Sequence, residues 1–409
     1  MSGASPLVAA RRAADAGSPP SDPARGADFA RGAAPGRKAT SPRHRFSAYG
    51  LVYDSDLPAP WAEPAPAGAP VDATVRLGPV RGPTHPERAD SAWTVESPTE
   101  AYCDWEGLRL RVSDGARIGV EIGPGATLEM AMVHLGYAAS TVLLHQRGAM
   151  PLHAAGAAGP AGGALLLGES GAGKSTFAAM MARGDWALAG DDTIALDLAP
   201  GRPVGLHRAM RTARLFADSA RAIDAVATGA PVGSAAGASA PAAFGPSGPA
   251  AFGPSGPAAS GASGPAASGA FGPAASGAPV LAAGQGMGKG VRALSDPAGR
   301  LVWPAPLRAV FTLEWLHPSD APLELERLPT LAALSALRRG IGRPEIPRQM
   351  GLDGAYFRLL ARVAAEVPVF ALRRPRDFAA AEAAVALARR TVERLAPAPH
   401  PSDNQGALT

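Results

Sequence analysis

Residues 164–176 read Ala164-Leu165-Leu166-Leu167-Gly168-Glu169-Ser170-Gly171-Ala172-Gly173-Lys174-Ser175-Thr176, an apolar run followed at once by a glycine-rich turn. Gly168–Ser175 fits the pattern G-x-x-x-x-G-K-[ST] at every position. Its flanks fit too: Ala164–Leu167 predicts a buried strand, and Thr176–Arg183 predicts a helix stopped by Gly184. Glycines let such a turn curl around phosphate oxygens and present backbone N–H groups to them. The helix behind it aims its positive end, about half a charge, at the same place. Lys174 is then expected on the β- and γ-phosphates and the Ser175 hydroxyl on magnesium. Gly168, Glu169, Ser170, Gly171, Ala172, Gly173, Lys174 and Ser175, continued by Thr176, form the expected nucleotide-binding set, with Mg2+ as the companion ion.

Working outward, Trp186–Ala189 predicts a second strand ended by Gly190-Asp191-Asp192, and Thr193–Leu198 a third. The aspartate pair lies 17 residues beyond Lys174. One helix and one strand fill that interval, which returns the chain beside the P-loop strand with both carboxylates near the phosphates. One carboxylate can hold magnesium and the other can accept a proton from an attacking hydroxyl. Asp pairs are also common in solvated turns after strands; the neighbouring P-loop favours the chemical reading. His153, in the stretch Leu152–Ala155, reaches the phosphates if that stretch pairs with the P-loop strand.

Further upstream, Tyr49–Tyr53, Thr74–Leu77, Leu108–Val112 and Ile118–Ile122 are short apolar runs, the last two alternating as half-buried strands do. Residues 46–147 therefore predict a β-rich region closed by a helix. Leu128, Met132, Leu135, Ala139, Val142 and Leu143 share the buried face of that helix, and Gly148 ends it. Residues 148–398 predict an α/β P-loop domain. Its later elements are a strand at Leu307–Leu313, a helix at Leu328–Arg339, a strand at Val367–Leu372 and a final helix at Asp377–Leu395 with Asp377 as N-cap.

Gly (49) and Pro (42) make up more than a fifth of the 409 residues and concentrate in two places. Residues 1–45 lack apolar periodicity, and residues 226–290 hold an octapeptide repeat, AFGPSGPA, at Ala243–Ala250 and Ala251–Ala258. A period of eight excludes a collagen helix, and the composition predicts a flexible surface insert. Residues 399–409 form a second expected disordered tail. The one cysteine, Cys103, excludes an internal disulfide or a cysteine zinc site. No targeting or membrane-spanning stretch is evident, so a cytoplasmic chain without membrane partners is expected. The net charge of +4 gives no reason to expect nucleic acid. Only three of the 39 basic residues are lysines, Lys38, Lys174 and Lys289, and the P-loop holds one of them.

The run from His153 through the P-loop and Arg183-Gly184 to Asp191-Asp192 resembles the catalytic domain of HPr kinase/phosphorylase and of HPr-kinase-like proteins from bacterial peptide-modification clusters. GLVYDSDLP, LHQRGAMPLHAA, PLRAVFTLE and PVFALRRPRDF extend the likeness over most of the chain. The resemblance implies a P-loop fold similar to phosphoenolpyruvate carboxykinase and ATP-dependent phosphorylation of a serine hydroxyl. It implies Ser175 and Asp191 as magnesium ligands, Asp192 as general base, His153 and Lys174 beside the transferred phosphate, and self-association. The family's acidic-Arg-Gly-Leu-Gly signature is absent; GQGMGKGVRAL stands there, so the likeness does not extend to phosphorylase activity or to HPr as acceptor. A peptide or protein, such as a ribosomal precursor peptide, is the expected acceptor. Lys289, Arg292, Arg208 and Arg211 are further candidates for phosphate or substrate contact. The alternatives are a small-molecule kinase, for instance on free serine, and an ATP-binding accessory protein that transfers nothing.

Overall fold

Alternation of apolar and polar residues governs the first third of the chain, and continuous apolar runs govern the strands that follow. A computed structural model describes residues 43–85, 92–216, 218–221, 223, 289–294, 301–316 and 322–397. It is a mixed α/β structure with two eight-stranded sheets and a two-stranded ribbon. The first sheet holds β1 (His44–Ala48), β2 (Leu51–Ser55), β3 (Glu63–Pro64), β4 (Ala73–Leu77), β5 (Trp93–Ser97), β6 (Glu100–Trp105), β7 (Leu108–Ser113) and β8 (Arg117–Ile122). Their order is β3-β1-β2-β4-β8-β7-β6-β5. The first strand begins at His44, inside the expected N-terminal tail; residues 1–42 of that tail, 226–288 of the insert and 398–409 lie outside the described residues.

The helix expected after this sheet is α1 (Leu128–His134), a π-helical turn over Leu135–Ala139, and α2 (Ser140–Gln146). Thr127 caps it, its hydroxyl accepting from the Met130 N–H at 3.1 Å. In the wide turn the Ser140 hydroxyl donates to the Leu135 carbonyl and the Thr141 hydroxyl to that of Tyr137, both at 2.7 Å. Such turns recur at functional sites, and this one turns the Tyr137 side chain toward the second sheet. Leu128, expected on the buried face, is exposed; Leu135, Ala139, Val142 and Leu143 are buried as expected.

The second sheet contains β9 (Ala155–Gly159), β10 (Gly162–Leu167), β11 (Ala187–Gly190), β12 (Leu196–Asp197) and β13 (Gly205–Leu206). The ribbon β14 (Thr212–Phe216) and β15 (Lys289–Ala293) stands apart from it. The sheet continues with β16 (Ala305–Trp315), β17 (Glu324–Arg327) and β18 (Val369–Arg374). One path through it runs β11-β9-β10-β16-β13-β12, and β18 joins the distal part of β16 and carries β17. Helices cover both faces: α3 (Lys174–Met181) on one, α4 (Thr330–Arg339) and α6 (Asp353–Glu366) on the other, and α7 (Phe378–Leu395) back with α3, while α5 (Glu345–Gln349) packs through Ile346 into the core of the first sheet. Every residue of β10 is buried because its two faces feed two cores. Ala164 and Leu166 pack with Phe177 and Val385, while Leu165 and Leu167 pack with Leu337 and Leu360.

Two expected strands shift. Leu152–Ala155 forms only an isolated bridge from Leu152 to Ile194 and Ile341, and the pairing segment is β9 itself, which turns directly into β10. Thr193–Leu198 shrinks to β12 because the backbone after Asp192 folds back, with the Thr193 N–H donating to the Asp191 carbonyl at 2.8 Å.

Candidate functional site

Four strands of the second sheet point the same way. β10 is parallel to β16 and β16 to β18, while β10 and β11 both run antiparallel to β9. Their carboxyl ends therefore meet along one edge, where open α/β sheets bind ligands. Gly168 follows β10, Asp191-Asp192 follows β11, β16 ends at Trp315 and β18 at Arg374. β9 runs the other way, so His153, just before it, comes to the same edge. The aspartate strand is not the neighbour of the P-loop strand, as its spacing had suggested: β9 intervenes. Gly156 pairs with Leu165 on one side and Gly190 on the other. Leu165 and Gly190 thus stand level, two interstrand spacings or roughly 10 Å apart at the backbone; the glycine-rich loop begins three residues beyond the first and the aspartates one residue beyond the second.

The P-loop has the conformation that its glycines allow. Gly168, Gly171 and Gly173 have φ of 145°, 87° and 86°. A Cβ on Gly168 would lie 2.9 Å from the Leu313 carbonyl oxygen. Gly173 is the N-cap of α3, and no side chain caps that helix, which leaves its first N–H groups for an anion. Lys174, buried, donates from Nζ to the carbonyls of Gly168 (2.8 Å) and Glu169 (3.2 Å). Glu169 and Ser170 are exposed at the crest, and Ser175 is half-buried in the first helical turn. The Thr176 hydroxyl donates to Ser219 at 3.0 Å, which occupies it away from the loop.

Across the edge, Asp191 is buried and its Oδ2 accepts the Arg214 backbone N–H at 2.8 Å. Asp192 is more open. Its carboxylate lies 3.4 Å from His153 Nδ1 and 3.5 Å from Arg214 Nη1. His153 Nδ1 is also 3.1 Å from the Asp192 carbonyl oxygen; a carbonyl only accepts, so this nitrogen carries a proton. The Arg214 guanidinium stands 5.8 Å from the Tyr137 ring centre, and the Tyr137 hydroxyl is 2.7 Å from that of Thr212. Burial first, then the charge of Asp191, pushes the Tyr137 hydroxyl far above its ordinary range, so it stays protonated.

Sequence reading gave no sign of Arg214 or Arg374. Arg214 sits in a strand without a motif; Arg374 falls on the inward position of β18, next to outward-facing Arg373, which pairs with Glu314 and Glu326. A charged residue at an inward, strand-terminal position is the signal that could have found it. Arg208 and Arg211, expected near substrate, instead tie the two sheets. Arg208 pairs with Glu63 at 2.9 Å, and Arg211 Nε donates to the Trp61 carbonyl at 3.3 Å. Lys289 and Arg292 lie in β15, paired through the backbone with Phe216 and Ala213; their side chains are outside the described residues.

Among the described residues no three His, Cys, Asp or Glu side chains converge on a point. A cavity of about 580 Å³ lies elsewhere, between the β1–β2 hairpin and the segment around Leu198 and Trp303; of the expected contact residues Arg208 lines it, and the glycine-rich loop, His153 and the aspartates do not. No described helix is long and apolar enough to cross a membrane. No family model matches the chain, and no curated protein matches it.

Proposed function

We propose that the chain is an ATP-dependent phosphotransferase that moves the terminal phosphoryl group to a serine-type hydroxyl of a peptide or protein, as its resemblance to HPr-kinase-like proteins implies. The observation that carries this reading is the shared sheet edge: a glycine-rich loop at the start of α3 and an Asp-Asp-His group on the same edge, one antiparallel strand between. A P-loop alone would serve any nucleotide hydrolase. A carboxylate that follows a strand two places from the loop-bearing strand leaves room between them for a phosphate chain and an acceptor.

In this reading the loop N–H groups and Lys174 hold the β- and γ-phosphates. Ser175 and Asp191 would hold magnesium, whose charge offsets that of the phosphates. Asp192 accepts the proton of the acceptor hydroxyl as its oxygen bonds to the terminal phosphorus, and the bond from that phosphorus to the ADP oxygen breaks. His153 and Arg214 fix the Asp192 carboxylate, and Arg214 supplies positive charge beside the transferred group.

The test is transfer of label from γ-labelled ATP to serine-containing peptides. Labelled phosphoserine is expected with the wild-type chain. Asp192→Asn should lower the transfer rate about 10²-fold or more while ATP affinity stays within about threefold. Tight ATP binding with no transfer to any hydroxyl compound would instead make the chain an ATP-binding accessory protein.

A further inference from the structure

Beneath the P-loop lies a cation that no motif announces. Arg374, the last residue of β18, is 3% exposed. Its Nη2 donates to the Ala172 carbonyl of the loop at 3.3 Å. The guanidinium lies 4.1 Å from the Trp315 ring centre and 5.6 Å from that of Phe177, and Nε has no hydrogen-bond partner. Trp315 in turn donates from Nε1 to the Gly171 carbonyl at 3.2 Å. A Cβ on Gly173 would fall 2.7 Å from Arg374 Nη2, so the loop is shaped around this side chain.

A guanidinium withdrawn from water costs free energy unless an anion answers it. Burial pulls its pKa down to about 10, and Asp377 opposes that only by attraction from a distance, without a hydrogen bond. At neutral pH it stays charged. Aromatic faces offset part of the cost. Among the described residues no carboxylate pairs with it, and the side chain abuts the glycine-rich loop at Ala172.

We propose that Arg374 is a positioning and charge-supplying residue of the nucleotide site: its compensating anion is the polyphosphate of a bound nucleoside triphosphate, and the Trp315 ring holds it against the loop. The inference rests on the P-loop reading above and adds a residue to it. Because the chain then carries an uncompensated charge when empty, nucleotide binding relieves a destabilising term, and affinity rises with phosphate charge.

The experiment compares wild-type chain with Arg374→Met, Arg374→Lys and Lys174→Ala, titrating ATP, ADP and AMP by calorimetry and recording Tm without nucleotide. Methionine keeps an apolar side chain against Trp315 and Phe177 but drops the charge. The expected result is an unchanged or higher Tm for Arg374→Met, with ATP affinity reduced about tenfold or more, ADP affinity reduced less and AMP affinity hardly changed. Arg374→Lys should recover at least half of the lost ATP binding energy. If Arg374→Met binds ATP like the wild type, or loses ATP, ADP and AMP alike together with Tm, the residue is structural only and the inference is overturned while the P-loop reading stands. If the wild-type chain binds no ATP, both fall together.

Discussion

Asp192 has a φ of 68°, in the left-handed region that side chains other than Asn, Asp and Gly rarely enter. It stands two residues beyond the end of β11 and is held by His153 and Arg214, so contacts on two sides fix an unfavourable backbone. Strain of this kind persists where surrounding structure over-determines it. Stability and chemistry should therefore separate on substitution. Asp192→Asn should melt within about 0.5 kcal/mol of wild type, whereas Asp192→Ala should lose about 1–2 kcal/mol from the αL backbone. Urea denaturation of both variants checks this; equal stability would mean the backbone is not strained there. Gly173 gives the sharper case, because φ of 86° and the Arg374 guanidinium both forbid a Cβ. Gly173→Ala is expected to weaken ATP binding more than tenfold, measured by titration, with the fold retained by circular dichroism.

At the level of elements, capping and periodicity were the readable signals. Asp377 caps α7 as the sequence indicates, its Oδ1 accepting the Ala380 N–H at 2.8 Å. Asp377→Ala should cost about 1 kcal/mol, visible as a lower urea midpoint with an unchanged slope. The P-loop strand and helix were legible because their signal is local, although the helix starts at Lys174 instead of Thr176 since the loop runs straight into its first turn. The helix Asp353–Glu366 was equally readable, with Tyr356, Leu360 and Val363 recurring at four and three residues, yet sequence reading left it unassigned. Strand order was not legible. The pairing of Gly156 with both Leu165 and Gly190 joins segments whose sequences carry no record of one another, and chain length alone had suggested β11 beside β10. For the candidate site, His153, Lys174 and the aspartates stand in one readable stretch, whereas Arg214, in the ribbon, and Arg374, at the end of β18, reach that edge only through tertiary packing.

For the molecule as a whole, the two sheets are joined by buried polar contacts, and one of them titrates. His145, at the end of α2 and fully buried, has Nε2 2.8 Å from the Gly342 carbonyl and Nδ1 2.7 Å from the Tyr356 hydroxyl. The carbonyl requires a proton on Nε2, while the one proton of the Tyr356 hydroxyl also faces the Ala149 carbonyl at 2.8 Å. Burial, with help from the charge of Arg343, lowers its pKa from the ordinary 6.5 to about 4. The unfolded chain therefore takes up a proton near pH 6.5 that the folded chain refuses until about pH 4. Between those values the unfolded state binds more protons, so stability rises with pH and falls on acidification. The loss attributable to this one ring between pH ~7 and ~4.5 is about 2 kcal/mol. Other groups also titrate in that range, which makes the difference between chains the informative quantity. His145→Gln can keep a donor toward Gly342 but cannot gain charge. It should be less stable than wild type at neutral pH through imperfect packing, yet lose about 2 kcal/mol less on acidification when urea midpoints are compared at the two values. Parallel pH profiles for the two chains would show that the joint between the α2 end and Tyr356 of α6 does not sense protons.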